Sequence, residues 1–266
     1  TTVVFENPEF MKELKKMADN RGGLCHTHLH PRPDEIKKCG ELYNCRPHQW
    51  LEEIGWIDKN VSFAHISRHN AEELDIVARN GASVTQSPSC HMRLGYPIAP
   101  ALEARDRGIP VSIGVDGGAS NDSGDMLGEL RTMLYVHRID GGHPGYGPER
   151  WINAKEVFEM ATVNGAKCLN RDDIGMLKEG MAADLVLFSM IQPGYAGALT
   201  DPRGALLYCG NNHLADTTIV NGNVLIENGI FLAGDLNQIV EDANRSTARI
   251  LKLVKDKTGI DYRMEA

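Results

Sequence analysis

The sequence predicts an α/β protein, a parallel sheet with crossover helices followed by a smaller β-rich segment. Three observations carry this reading. Four runs of strand-forming residues are each followed by a stretch with helical spacing. The alternation stops after Arg138, where a Gly- and Pro-rich tract intervenes. Beyond it lie short strand runs, two of them flanking an Asn-Gly pair.

Taken in order, Asn7 to Asn20 read as a helix, with Phe10, Leu14 and Met17 at helical spacing and lysines on the other face. Gly22-Gly23 ends it, and Leu24 to His30 reads as a strand. A helical stretch from Asp34 to Ile54 follows, interrupted near Arg46-Pro47. Val61 to His65, Ala82 to Gln86 and Pro110 to Asp116 are the next strands. Helices at Asn70 to Arg79, Ala99 to Arg107 and Asp125 to His137 follow them in turn. Asp140 to Pro148 reads as a loop, a surface loop in the plainer reading and a lid in the bolder one. A helix from Asn153 to Leu169 comes next, then strands at Asp184 to Phe188, Asp216 to Val220 and Asn223 to Glu227. Asn221-Gly222 suits a type I′ hairpin turn. A last amphipathic helix, Leu236 to Val254, places Ile239, Ala243, Ile250 and Val254 on one stripe.

Composition excludes several classes of function. The 266 residues are 42% apolar and 24% charged, with 36 acidic against 28 basic side chains and a net charge of −8. A nucleic-acid binder needs a basic footprint to replace phosphate counterions, so none is expected here. No apolar run reaches the ~18 residues of a membrane span, and no signal-peptide pattern opens the chain. The six cysteines are scattered without a CxxC, which fits reduced thiols in the cytoplasm.

Three residues stand out at strand ends. In Cys25-His-Thr-His-Leu-His30, side chains two apart share a face, so His26, His28 and His30 point the same way. His65 ends Val-Ser-Phe-Ala-His, and Asp116 ends Val111-Ser-Ile-Gly-Val-Asp. Taken singly, each has a plainer reading: a solvated strand end, a hydrogen-bonded structural histidine, a turn carboxylate. Jointly they differ. Each sits at the C-terminal end of a strand in a parallel series, where the active site of an α/β barrel is built. The separations of 37 and 51 residues correspond to about one and two strand–helix units. Two imidazoles and a carboxylate converging on one barrel mouth form the ligand set of a metal hydrolase.

The chain resembles the amidohydrolase superfamily, in its branch of aminohydrolases and chlorohydrolases acting on nitrogen heterocycles, and is similar to 8-oxoguanine deaminases and triazine hydrolases. The resemblance rests on His26-Thr-His-Leu, Phe63-Ala-His65, Met92-Arg-Leu-Gly with Ile98-Ala-Pro100, and Gly114-Val-Asp-Gly-Gly-Ala-Ser-Asn-Asp122. Gly175 to Val186 and Val220-Asn-Gly222 resemble the family's small C-terminal β-domain. It implies the C-terminal half of a TIM-like (β/α)8 barrel, strands five to eight in residues 1–175, and a β-rich segment with a C-terminal helix in 176–266.

It also implies roles. His28 matches the metal ligand of the fifth barrel strand, and His65 the histidine of the sixth, which holds the water or the substrate. Asp116 matches the aspartate of the eighth, which binds metal and takes the water's proton. His91, Arg93 and Asn121 are expected substrate contacts. One divalent ion, zinc in preference to iron, would lower the pKa of its water from ~15.7 towards ~7, with the carboxylate accepting the proton. The implied reaction removes an amino group from a small purine- or triazine-like heterocycle, in a full-length form expected to dimerise.

The sequence departs from the pattern in places. Pro31 stands where relatives carry a proton-shuttling glutamate, with His30 or Glu35 as substitutes. Ser89-Cys90-His91 replaces a Ser-Asn pair. The metal-binding HxH motif of the first barrel strand has no counterpart, because only 37 residues separate His28 from His65. The chain is therefore expected to be the C-terminal part of a larger enzyme. A truncated or degenerate homologue without catalysis is the alternative, as is a chloro- or alkylamino-triazine hydrolase. A nucleic-acid-type zinc deaminase needs HxE and PCxxC signatures, and a nucleotide-binding module needs GxGxxG or a P-loop lysine; neither pattern occurs.

Overall fold

The computed structural model describes residues 6–29, 32–139, 147–209 and 214–262. His30, Pro31 and tract 140–146, to which the sequence assigned a shared histidine face, a departure from the family and a loop, lie outside them. The chain divides into two compact units, one from 1–181 with 190–213 and the other from 182–189 with 214–266.

The first unit is built on a four-stranded parallel sheet in sequence order: β1 (Cys25–Leu29), β2 (Val61–His65), β3 (Ser83–Gln86) and β4 (Val111–Ile113). Its helices are α1 (Pro8–Asp19), α2 (Pro33–Tyr43), α3 (Pro47–Glu53), α4 (Ala71–Arg79), α5 (Pro88–Leu94), α6 (Ala101–Asp106), α7 (Met126–Val136), α8 (Ala154–Ala161), α9 (Val163–Cys168) and α10 (Pro202–Tyr208). Every residue of β2 is buried, as a strand covered on both faces requires. β1, an outer strand of this sheet, leaves His26 and His28 exposed. Phe63, Val84, Val111, Leu74, Val77, Leu102, Leu130 and Met133 form the core.

Local chemistry sets the element ends. Asn70 accepts the Glu73 N–H at 2.9 Å while Glu73 accepts the Asn70 N–H at 3.0 Å, a reciprocal cap that starts α4. The break near Arg46-Pro47 is real: α2 closes at Asn44, whose φ of 53° is left-handed, and Pro47 opens α3.

Three expectations need correction. In α1 the buried face carries Met11 and Lys15, whereas Phe10 and Met17 are about half exposed. The Met11 carbonyl accepts the Trp56 indole N–H at 3.1 Å, and the Lys15 ammonium lies between Asp19 and Asp58. A buried lysine stem with its charge paired on arrival overrides the simple stripe. The single helix expected over Asn153 to Leu169 breaks at Thr162, whose hydroxyl donates to the Phe158 carbonyl at 2.6 Å, a back-bond that bends helices. Gly175 closes on that break: a Cβ there would meet the Thr162 carbonyl at 2.9 Å. Lastly, Ser89-Cys90-His91, in a stretch between Gln86 and Ala99 to which the sequence reading assigned no helix, lie in α5.

The second unit is an antiparallel sheet, β5 (Leu185–Leu187), β6 (Thr217–Val220), β7 (Asn223–Glu227) and β8 (Ile230–Phe231), with the helix α11 (Leu236–Thr258). Asn221 and Gly222 have φ of 47° and 80°, the two left-handed residues of the expected hairpin turn. Asn228-Gly229 repeats the device and produces β8, a strand the sequence reading passed over. No residue of α11 is buried, Ile239 and Ile250 of its apolar stripe included.

Candidate functional site

Parallel register brings the first two histidines together. Leu29 pairs with His65 and His28 with Ala64, so the His28 and His65 rings stack with centroids 4.9 Å apart. Asp116 arrives from the end of β4, after Gly114 N–H extends the ladder to the Gln86 carbonyl at 2.9 Å. Among the described residues, His28, His65 and Asp116 form one group whose ligand atoms all lie within 4.8 Å of one another. His65 Nε2 stands 4.0 Å from Asp116 Oδ2.

The backbone bends sharply where these side chains leave the sheet. His65, Ile66 and Asp116 have φ of 75°, 41° and 63°, a left-handed conformation uncommon outside glycine. Each such residue costs on the order of 1–3 kcal/mol and persists only where its surroundings impose it. The Ile66 N–H donates back to the Leu29 carbonyl at 3.0 Å, fixing the bend at His65 against β1. Asp116 accepts the Gly117 N–H at 2.8 Å and the Ser120 hydroxyl at 2.9 Å.

Protonation states follow from this environment. Burial, with the neighbouring His28, lowers the His65 pKa, and burial lowers His91 to about 4. Both imidazoles are neutral at pH 7. Burial works against ionisation of Asp116, but hydrogen bonds from Cys90, Ser120 and Gly117 outweigh it and hold the carboxyl below its usual range. Imidazole nitrogens with an ionised carboxylate oxygen, as His28, His65 and Asp116 offer, are donors that suit a borderline divalent cation, zinc or iron. The residues present therefore fit a metal ion.

The expected substrate contacts fall into three situations. His91, on α5 and buried, shares a hydrogen bond of 3.0 Å between its Nε2 and His65 Nδ1. Arg93, also on α5, is half exposed and pairs with Asp122 at 3.1 Å. The Asn121 amide is already engaged: it donates to Glu129 of α7 at 3.3 Å and accepts from the Ser123 N–H and hydroxyl of its own loop. Sequence reading missed Glu129, Cys90 and Ser120. Glu129, on α7 and 1% exposed, accepts the Ser89 N–H at 2.9 Å as well as the Asn121 amide. Burial pushes its pKa up. The thiol of Cys90, itself pushed up to about 11 chiefly by burial, lies near Asp116 and favours its ionised form. The signal for α5 was present in Pro88 and Gly95, a helix-opening proline and a left-handed terminating glycine.

The chain as a whole is matched by known proteins. The profile of the amidohydrolase family covers residues 4–225. The chain belongs to the amidohydrolase family. It is 34% identical over 233 residues to the 8-oxoguanine deaminase of Pseudomonas aeruginosa, covering 88% of this chain and 50% of that protein. It is 32% identical over 237 residues to a 5-methylthioadenosine/S-adenosylhomocysteine deaminase of Desulfitobacterium hafniense, covering 89% and 53%. The atrazine chlorohydrolase of Arthrobacter aurescens, crystallised with zinc, superposes with a TM-score of 0.85 at 34% identity, over 90% of this chain and 52% of that one. This amidohydrolase chain thus spans about half the length of the curated relatives it matches. Its parallel unit corresponds to half of a (β/α)8 barrel, joined to a small β unit.

Proposed function

We propose that this amidohydrolase chain carries the hydrolytic centre of a divalent-metal-dependent aminohydrolase acting on a purine- or triazine-like heterocycle. The observation that carries the proposal is the convergence of His28, His65 and Asp116 within 4.8 Å at strand ends of one parallel sheet.

His28 and Asp116 would hold the ion, zinc by preference, with His65 facing the same point. When bound, the cation supplies Lewis-acid polarisation and acidifies water. The chain's own residues do the rest. Asp116, ionised and pinned by Ser120 and Gly117, accepts the proton of the attacking water at a carboxylate oxygen. His65, held from behind by His91, orients the substrate and stabilises the tetrahedral centre formed at the attacked ring carbon. The amino group then leaves as ammonia, taking up the proton that Asp116 had accepted. The similarity to 8-oxoguanine and 5-methylthioadenosine/S-adenosylhomocysteine deaminases supports a purine ring, and the likeness to atrazine chlorohydrolase supports a triazine.

The test combines zinc binding with substrate screening. The native polypeptide that contains this chain is expected to bind about one equivalent of zinc. It should release ammonia from at least one of 8-oxoguanine, guanine, isoxanthopterin, 5-methylthioadenosine, S-adenosylhomocysteine and the aminotriazines. His28→Ala and Asp116→Asn should each abolish both. Full turnover in either variant, or no metal in the active protein, defeats the proposal.

A further inference from the structure

Away from the hydrolytic centre, two cysteines meet at the junction of α2 and α3. Cys39 lies in α2 and is completely buried, while Cys45 lies two residues beyond the helix and is partly exposed. The turn between them places one thiol on the other. Asn44 adopts φ of 53°, and its N–H donates to the Gly40 carbonyl at 3.0 Å. In such left-handed helix ends, the residue after the left-handed position folds back over the residue preceding the accepting carbonyl. Those two residues are Cys45 and Cys39. The two thiols lie near enough to influence each other's ionisation, Cys39 favouring the ionised form of Cys45. The backbone after Cys45 is fixed: Arg46 takes the Gln49 side chain on its N–H at 3.0 Å and reaches Glu73 at 2.7 Å. The pair is thus held in contact by a turn locked on both sides, and nothing in the hydrolytic site uses it.

We propose that Cys39 and Cys45 form a dithiol site that low-molecular-weight disulfides of the glutathione class convert to an intramolecular disulfide. Access dictates the order of events. The Cys45 thiolate attacks one sulfur of the incoming disulfide and expels the first glutathione as a thiol, leaving a mixed disulfide on Cys45. Cys39 then gives up its proton to solvent and attacks the Cys45 sulfur, expelling the second glutathione. Two protein thiols are oxidised, one external disulfide is reduced to two thiols, and no other oxidant is needed. Burial raises both thiol pKa values, Cys39 to about 12, so exchange accelerates as pH rises above neutrality.

Mass spectrometry tests this directly. The tryptic peptide from Cys39 to Lys59 contains Cys39 and Cys45 and none of the other four cysteines. The folded chain is incubated with oxidised glutathione at about pH 8, a little below the ordinary thiol pKa, then alkylated and digested without reduction. The expected product is this peptide lighter by two hydrogens and carrying no alkyl group, formed ahead of any disulfide involving Cys25, Cys90, Cys168 or Cys209. Cys45→Ser should leave Cys39 a free thiol. A glutathione adduct persisting on Cys45 beside an alkylated Cys39 overturns the proposal. So does recovery of both residues as alkylated thiols, or glutathionylation of Cys39 in Cys45→Ser.

Discussion

His65 Nδ1 and His91 Nε2 are hydrogen-bonded at 3.0 Å, although 26 residues separate them and one ends a strand while the other sits in a helix. The bond fixes the plane of the His65 ring and leaves Nε2 facing Asp116. A histidine held from behind is a better-oriented ligand or electrostatic partner than a free one. His91→Phe keeps an aromatic ring at the position and removes the bond. We expect zinc affinity or turnover of the native polypeptide to fall about 10–100-fold, the range for partners that orient metal-site histidines. Isothermal titration with zinc and steady-state kinetics read the two effects separately. Values unchanged from wild type would show that His91 does not position His65.

Glu129 ties the start of α5 to the loop after β4 through Ser89 and Asn121. Glu129→Ala leaves that N–H and that amide without their acceptor in a buried place, a loss of about 2–3 kcal/mol. Glu129→Gln keeps one oxygen acceptor and should cost less than half as much. Urea unfolding midpoints of the two variants give the comparison.

The acid limb of stability should carry a histidine signature. Burial lowers the His69 pKa to about 4, against 6.5 for the free side chain. Above pH 6.5 the residue is neutral in both states and its contribution is fully present. As pH falls below 6.5 the unfolded chain takes up a proton that the folded chain refuses, so stability is lost down to about pH 4. The shift corresponds to roughly 3 kcal/mol. His91, lowered to a similar value, acts in the same window. His69→Gln is expected to flatten the fall of denaturation free energy between pH 6.5 and 4; an unchanged slope would refute the assignment.

Asn70→Ala removes one side of the reciprocal cap that begins α4. The expected cost is about 1 kcal/mol, and Asn70→Ser should recover most of it, since serine caps nearly as well. Thermal melts of the two variants side by side are sufficient.

Much of the architecture was legible in the sequence because it rests on local rules. Strand runs at Val61 to His65 and Pro110 to Asp116, the second shortened to Val111–Ile113 in the structure, and the Asn221-Gly222 hairpin follow from side-chain period and turn chemistry. Lys15 was misplaced because helical spacing says which residues share a face, while Asp58, 43 residues away, decides which face is buried. Cys90 and Ser120 were passed over for the same reason: their meeting with Asp116 depends on how α5 sits beside the loop after β4.

The sequence alone determined the alternation of strands and helices, the change to a β-rich segment, and the residue types at the strand ends. Parallel register decided that His28 lies against His65, and the bends where the chain leaves the sheet brought Asp116 to the group. Side-chain alternation is a property of a single strand, but convergence requires neighbouring strands to be in fixed register and to end in left-handed bends at His65 and Asp116. Those bends cost energy that no local preference supplies, and only the packed sheet and its hydrogen bonds hold them in place.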